Sequence, residues 1–265
     1  MQRLSARLLR DSQAARRLPL SSSTRFPRHG SSRFVRPLRG ILNAAHGLSY
    51  YARLQEVTAN NLANASTDAF KVDRMSGRML DGQAYPVPVE HLDLSQGSFR
   101  DTGRSLDVAL DGPGFLVVST PGGERLTRGG SLRLDASGQL TDGYGNPVLG
   151  DNGPIIPGIG KLEIQTDGTV LVEGAQVDHL RLETVADPSV LRKEGTGRFI
   201  VPVGTKLIAA DAMTVRQASI EEPNSDAVLG MIDLVTIQRA YAANVDALKA
   251  MDGVLGTVAS EVGRV

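Results

Sequence analysis

Residues 234–262 read LVTIQRAYAANVDALKAMDGVLGTVASEV. Within this stretch Leu234, Ile237, Tyr241, Asn244, Leu248, Met251, Leu255, Val258 and Val262 fall at alternating spacings of three and four, and only Asn244 among them is polar. A seam sustained over about four heptads reads as a long coiled-coil-like helix. Such a helix cannot bury its own stripe, so it needs a partner from the same chain or from another copy.

A second helical pattern stands near the other end of the chain. Ile41, Ala45, Leu48, Ala52, Gln55, Ala59 and Leu62 again step by three and four. Small residues dominate this stripe and permit close approach. The pattern stops at Asn60-Asn61-Leu62-Ala63-Asn64-Ala65-Ser66-Thr67, where Asn, Ser and Thr compete for backbone hydrogen bonds and favour a helix end.

Between the helices the chain reads as strands. Leu106, Val108 and Leu110 alternate with Asp107, Ala109 and Asp111, and Phe115-Leu116-Val117-Val118 follows the turn Asp111-Gly112-Pro113-Gly114. Further turn signals stand at Asp135-Ala136-Ser137-Gly138, Asp142-Gly143, Gly145-Asn146-Pro147, Asp151-Asn152-Gly153 and Asp167-Gly168. Turns at this frequency indicate antiparallel β structure. The expected fold is α+β, with both terminal helices pairing outside a β-rich domain. The expected organisation is a basic segment 1–40, a helical domain from 41–64 and 224–262, a connecting segment 65–85 of uncertain structure, a β-rich domain 86–215 and a linker 216–223. Asn224-Ser225-Asp226 supplies the helix cap.

Composition bounds the function. The chain has 265 residues, 41% of them hydrophobic and 4% aromatic, with no Trp and no Cys, so its core is aliphatic and thiolate chemistry is excluded. No run of about 18 apolar residues is present, so no membrane span is expected. The net charge of zero conceals an asymmetry. Residues 1–40 hold ten Arg and one acid, leaving 19 basic and 28 acidic groups for the remainder. The basic segment matches a transit peptide by composition, and it also fits a basic arm for nucleic acid. A third reading is translation from upstream of the true start.

The enzyme reading lacks a site. The four His at 29, 46, 91 and 179 are not at metal-ligand spacing, and Ser131 lacks the glycine of a nucleophile elbow. Glu221-Glu222 beside Pro223 reads as part of a solvated linker. The glycines at 112 and 114 precede a strand, unlike a phosphate loop. No catalytic residue, cofactor or metal is expected.

Five stretches resemble one family, the bacterial flagellar rod, hook and hook-associated proteins. They are Asn60-Asn61-Leu62-Ala63-Asn64 with Phe70-Lys71, Leu106 through Phe115, Thr127-Arg128-Gly129-Gly130-Ser131-Leu132, Gly138 through Gly145, and Gln238-Arg239-Ala240-Tyr241 with Asn244. The likeness covers nearly all of 39–262. Ala65-Ser66-Thr67-Asp68-Ala69-Phe70 and the modest length after residue 40 favour its proximal-rod type, with the distal-rod type as near alternative. The resemblance implies helical assembly with copies of itself and with other rod proteins, torque transmission and an axial channel. It also implies a place in the periplasm-spanning rod of the basal body, reached through the flagellar type III export apparatus without a cleaved signal peptide. Neither nucleic acid nor membrane insertion is implied. Assembly residues are expected at Asn60, Asn61, Leu62 and Asn64, and at Leu234, Ile237, Gln238, Arg239, Tyr241, Asn244, Leu248, Met251 and Leu255. Asn244 is expected to fix register, because a buried amide must find a partner. Gln238, Arg239 and Tyr241 are expected to form a hydrogen-bond cluster between subunits.

Overall fold

The computed structural model describes residues 35–78, 87–195 and 197–262. The basic segment up to residue 34, with the transit, nucleic-acid and start-site readings of it, lies outside the described residues. Pro37–Val265 forms one unit, and the elements below belong to it, α1 beginning two residues earlier. The fold is α+β: helix α1 (Val35–Ala63), nineteen short strands among the described residues between 73 and 221, and helix α2 (Ala227–Val262).

The β body is built on a six-stranded antiparallel sheet. Its order is Arg192–Glu194, Arg198–Ile200, Gly123–Thr127, Phe115–Thr120, Leu182–Val185, Leu207–Ala209. The central strand explains why Phe115-Leu116-Val117-Val118 is continuously apolar. Side chains alternate across a strand. Leu116 and Val118 enter one core with Val108, Leu110, Leu132, Leu140, Val148, Ile155 and Leu180. Phe115 and Val117 enter the other with Leu126, Leu149, Val185 and Phe199. Both faces are covered, so no polar alternation survives.

The turns follow their chemistry. The Asp135 Oδ1 accepts from the amides of Ser137 and Gln139, and the Asp142 Oδ1 from those of Tyr144 and Asn146. Such Asx contacts nucleate tight reversals. A separate three-stranded sheet comprises Leu162–Ile164, Thr169–Val172 and Ala175–His179.

The 65–85 segment contains the strand Asp73–Arg78, which pairs with Val87–Leu92 as a two-stranded ribbon. Most of the expected linker 216–223 is paired strand. Thr214–Gln217 pairs with Val108–Asp111, and Ser219–Glu221 with Phe99–Asp101. The chain that enters the body and the chain that leaves it therefore run side by side and antiparallel. Between these two ladders Ala218 takes a left-handed backbone at φ 60°, its amide bonded to the Asp107 carbonyl. Glu221 is 1% exposed. Reading Glu221-Glu222 as a hydrated pair is thus corrected: Glu221 points inward because it has two cations to meet there.

Candidate functional site

The residues of greatest electrostatic consequence lie where the two helix-bearing ends join the β body. On leaving α1 the chain turns through Ala69, left-handed at φ 57°, whose amide donates to the Glu221 carbonyl at 2.7 Å. Phe70 is buried, its ring lying 3.7 Å beneath the Lys193 ammonium. Its carbonyl accepts the Asn224 amide, at the approach to α2.

Lys71 follows, fully buried. Its Nζ donates to the Glu221 Oε1 at 2.5 Å and to the Ser95 carbonyl at 2.7 Å. The Glu221 Oε1 also accepts the Gly97 amide, while its Oε2 accepts Arg128 Nε at 2.7 Å. The Arg128 guanidinium donates its remaining bonds to the carbonyls of Leu110, Gly112 and Gly114. It thereby holds the Asp111–Gly114 turn that the sequence announces. Two cations and one anion are buried together, and burial holds the Lys71 ammonium below its usual range despite Glu221. Taking charges out of water is costly, and removing one partner from such a group costs about 3–5 kcal/mol.

Further bonds fasten the same joint. The Asn224 Oδ1 accepts the Val72 amide and its Nδ2 donates to the carbonyls of Asp93 and Ser95. Lys193 donates to the Lys71 carbonyl and to Asp73 Oδ2. Arg53 of α1 bridges to Glu90 of the ribbon through two nitrogens.

The expected assembly residues fall in two groups. At the end of α1, Asn61 grips the Asp73 backbone in both directions: Nδ2 donates to the carbonyl at 2.8 Å and Oδ1 accepts the amide at 3.1 Å. Asn64 folds back on the Asn60 carbonyl, so the cluster also closes the helix, as its composition suggests. Asn60 is exposed and Leu62 half-buried. In α2 the seam is the less exposed face. Ile237 is buried, and Leu234, Asn244, Leu248 and Leu255 are half-buried. Tyr241, Met251 and Val258 stay exposed within one subunit, as do Gln238 and Arg239. Asn244 is bonded to the Ala240 carbonyl of its own helix, not to a distant partner. The α1 stripe is displaced in phase: Ala44 and Val57 face inward, whereas Ala45 and Ala59 are exposed. The small residues there give little contrast between neighbouring positions. At the start of α2 the cap is Asp226, whose Oδ1 accepts the amides of Val228 and Leu229.

The helices approach each other at three glycines. A Cβ on Gly40 would lie 3.4 Å from the Met251 sulfur, one on Gly47 3.2 Å from Asn244 Oδ1, and one on Gly230 3.6 Å from a Leu62 methyl. Rising numbers on α1 meet falling numbers on α2, so the two run in opposite directions.

Sequence reasoning missed Lys193 altogether, placed Glu221 in a linker and Asn224 in a cap group, and met Arg128 only inside a motif. Lys71 entered only as part of a motif. Among the described residues no cluster of three or more His, Cys, Asp or Glu could hold a metal ion. No described helix is long and apolar enough to cross a membrane.

Comparison with known proteins agrees with this layout. Residues 41–71 match the family described as flagella basal body rod protein, 109–172 the flagellar hook protein FlgE/F/G D1 domain, and 216–261 the flagellar basal body rod FlgEFG protein C-terminal region. Lys71, Arg128 and Glu221 fall one in each matched segment. The chain is 32% identical over 235 residues to the flagellar basal-body rod protein FlgF of Escherichia coli K12, covering 80% of this chain and 93% of that one. It is 31% identical to the protein of the same name from Caulobacter vibrioides, covering 70% and 82%. It is 27% identical to the flagellar hook-basal body complex protein FlhP of Bacillus subtilis, covering 84% and 99%.

Proposed function

The chain belongs to the flagellar basal-body rod protein family, and from that premise we propose that it works as a proximal-rod subunit whose buried joint makes helices and β body one mechanical piece. It is a structural protein, not an enzyme. The carrying observation is the Lys71–Glu221–Arg128 triad, which ties both chain ends to the body at one place. A subunit that transmits torque must not pivot between its assembling part and its outer part. An ion triad whose side chains make five further hydrogen bonds resists that pivot at both connections at once.

The terminal helices pair antiparallel as a coiled-coil-like unit, with the Leu234–Leu255 seam and the Asn60–Asn64 cluster as its assembly surfaces. Burial of the exposed part of the seam between copies offsets the ordering of long terminal helices. The paired helices line the axial channel, and the subunit stacks with other rod proteins in the periplasm-spanning rod. It arrives through the flagellar export apparatus, without a cleaved signal peptide.

Deleting the gene, scoring motility and imaging isolated basal bodies tests the reading. Non-motile cells with rods that are absent or stop short, restored by the wild-type gene, are expected. Complete basal bodies in swimming cells would refute it. Rods ending beyond the proximal segment would place the subunit in the distal rod instead.

A further inference from the structure

The outer surface of α2 is unlike that of an ordinary helix on a soluble protein. Val228, Ile232, Val235 and Arg239 are spaced by four, three and four, so they share one stripe. The three apolar members are 64%, 57% and 48% exposed. Such positions on a solvated helix face are normally polar. Arg239 closes the stripe, exposed and without an ion-pair partner among the described residues.

A groove of about 470 Å³ opens on a different flank of the same helix. Leu54 and Val57 of α1, Val72, Met75, and Leu229 of α2 form its apolar side; of the charged residues that also line it, Arg74 and Asp73 are ion-paired elsewhere and Asp226 caps α2. Asp233 also lines it, exposed and without an ion-pair partner among the described residues. The Ser225 hydroxyl in the same lining is buried with no hydrogen-bond partner. The stripe is apolar ending in a cation; the groove is apolar on one side, beside an unpaired anion and an unsatisfied hydroxyl. Asp233 and Arg239 stand six residues apart, about 9 Å along the helix and about 120° around it. One copy cannot join its own pair.

We propose that the Val228–Arg239 stripe of one copy seats in this groove of the next copy, with Arg239 meeting Asp233. The proposal rests on the rod-subunit reading and gives it a contact. The occupant is a second copy because the two surfaces complement each other in both charge and polarity. Stripe and groove are distinct patches on distinct flanks. Joining one to the other on the next molecule is a heterologous contact, and repeating it generates an open helical array, not a closed pair.

The absence of cysteine makes the test direct. Asp233→Cys and Arg239→Cys are introduced singly and together into the full chain, in cells lacking the native gene. Basal bodies are isolated, oxidised and run without reductant. The double variant should give a ladder of multiples, and each single variant should give monomer. A ladder that stops at two copies would mean a closed contact and overturn the proposal. Dimers from either single variant would do the same, and so would a crosslink to a different protein in place of the ladder.

Charge exchange adds an independent readout. Asp233→Arg and Arg239→Asp should each abolish swimming, and the two together should restore it. Swimming by either single variant overturns the contact while leaving the rod reading intact. Swimming by the gene deletion itself overturns both.

Discussion

Replacing Glu221 with Gln changes one atom's chemistry and little volume, yet it should be among the most damaging substitutions in this chain. The carboxylate accepts from Lys71, Gly97 and Arg128, and it carries the only negative charge in the triad. Glu221→Gln leaves two buried cations facing each other. Breaking a buried pair by removing one partner costs about 3–5 kcal/mol. Lys71 keeps the Ser95 carbonyl and Arg128 keeps three carbonyls, so the lower half of that range applies, about 3–4 kcal/mol. For a unit of this size each kcal/mol moves the midpoint by about 2–4 °C, which predicts a fall of roughly 6–16 °C. Circular dichroism on the purified full chain reads it. Glu222→Gln is the control: the Glu222 carboxylate accepts from Ser98 and pairs with Arg100 on an exposed surface, and its loss should shift stability by no more than about 0.5 kcal/mol. Lys71→Met added to Glu221→Gln removes one orphaned charge and should recover part of the loss. A midpoint for Glu221→Gln within 2 °C of the Glu222→Gln value (roughly 0.5–1 kcal/mol) would refute the reasoning.

Other outcomes follow from the same structure. A Cβ at Gly130 would lie 1.6 Å from the Val108 carbonyl oxygen, so Gly130→Ala should cost more than about 4 kcal/mol and leave the chain insoluble on expression. Burial lowers the Lys71 pKa, so in the window below its ordinary 10.5 the unfolded chain binds more protons than the folded one. Stability should therefore rise with pH through that window, and urea titrations of Lys71→Met should show a shallower rise; an identical slope would argue against it. Asn244→Leu deletes the bond to Ala240 and the amide facing Gly47. The variant should keep its helical dichroism but assemble with poorer register, seen as rods of irregular length.

Much of this architecture is legible because its signals are local. Heptad spacing gives α2, Asx-type turns give the hairpins at Asp135 and Asp142, and Asp226 falls within the cap group that the composition suggests. The joint is illegible for the opposite reason. Lys71 and Glu221 are 150 residues apart, and nothing within a window around either announces the other. A Glu-Glu-Pro run carries the composition of a hydrated linker, and only the pairing of 219–221 with 99–101 turns Glu221 inward. The ribbon strand Asp73–Arg78 escapes notice because it is mostly exposed and lacks apolar alternation. Left-handed Ala69 and Ala218 are equally silent, since alanine does not advertise that conformation as glycine does. The helix and its seam are thus readable where the spacing is periodic, and the joint is hidden where tertiary pairing creates it.

The separation between Lys71 and Glu221 also sets an order of events during folding. Closing a loop of 150 residues carries an entropy cost on the order of 4 kcal/mol, and no contact at the joint offsets it until the closure is nearly complete. Hairpins within the β body close over a few residues and form first. Residues 214–221 then return along 99–111, and only that last pairing brings the carboxylate between its two cations. A chain arriving N-terminus first would hold α1 only to its own ribbon, through Asn61 and Arg53, until residues 214–221 had emerged, so the triad locks α1 to the body late in synthesis.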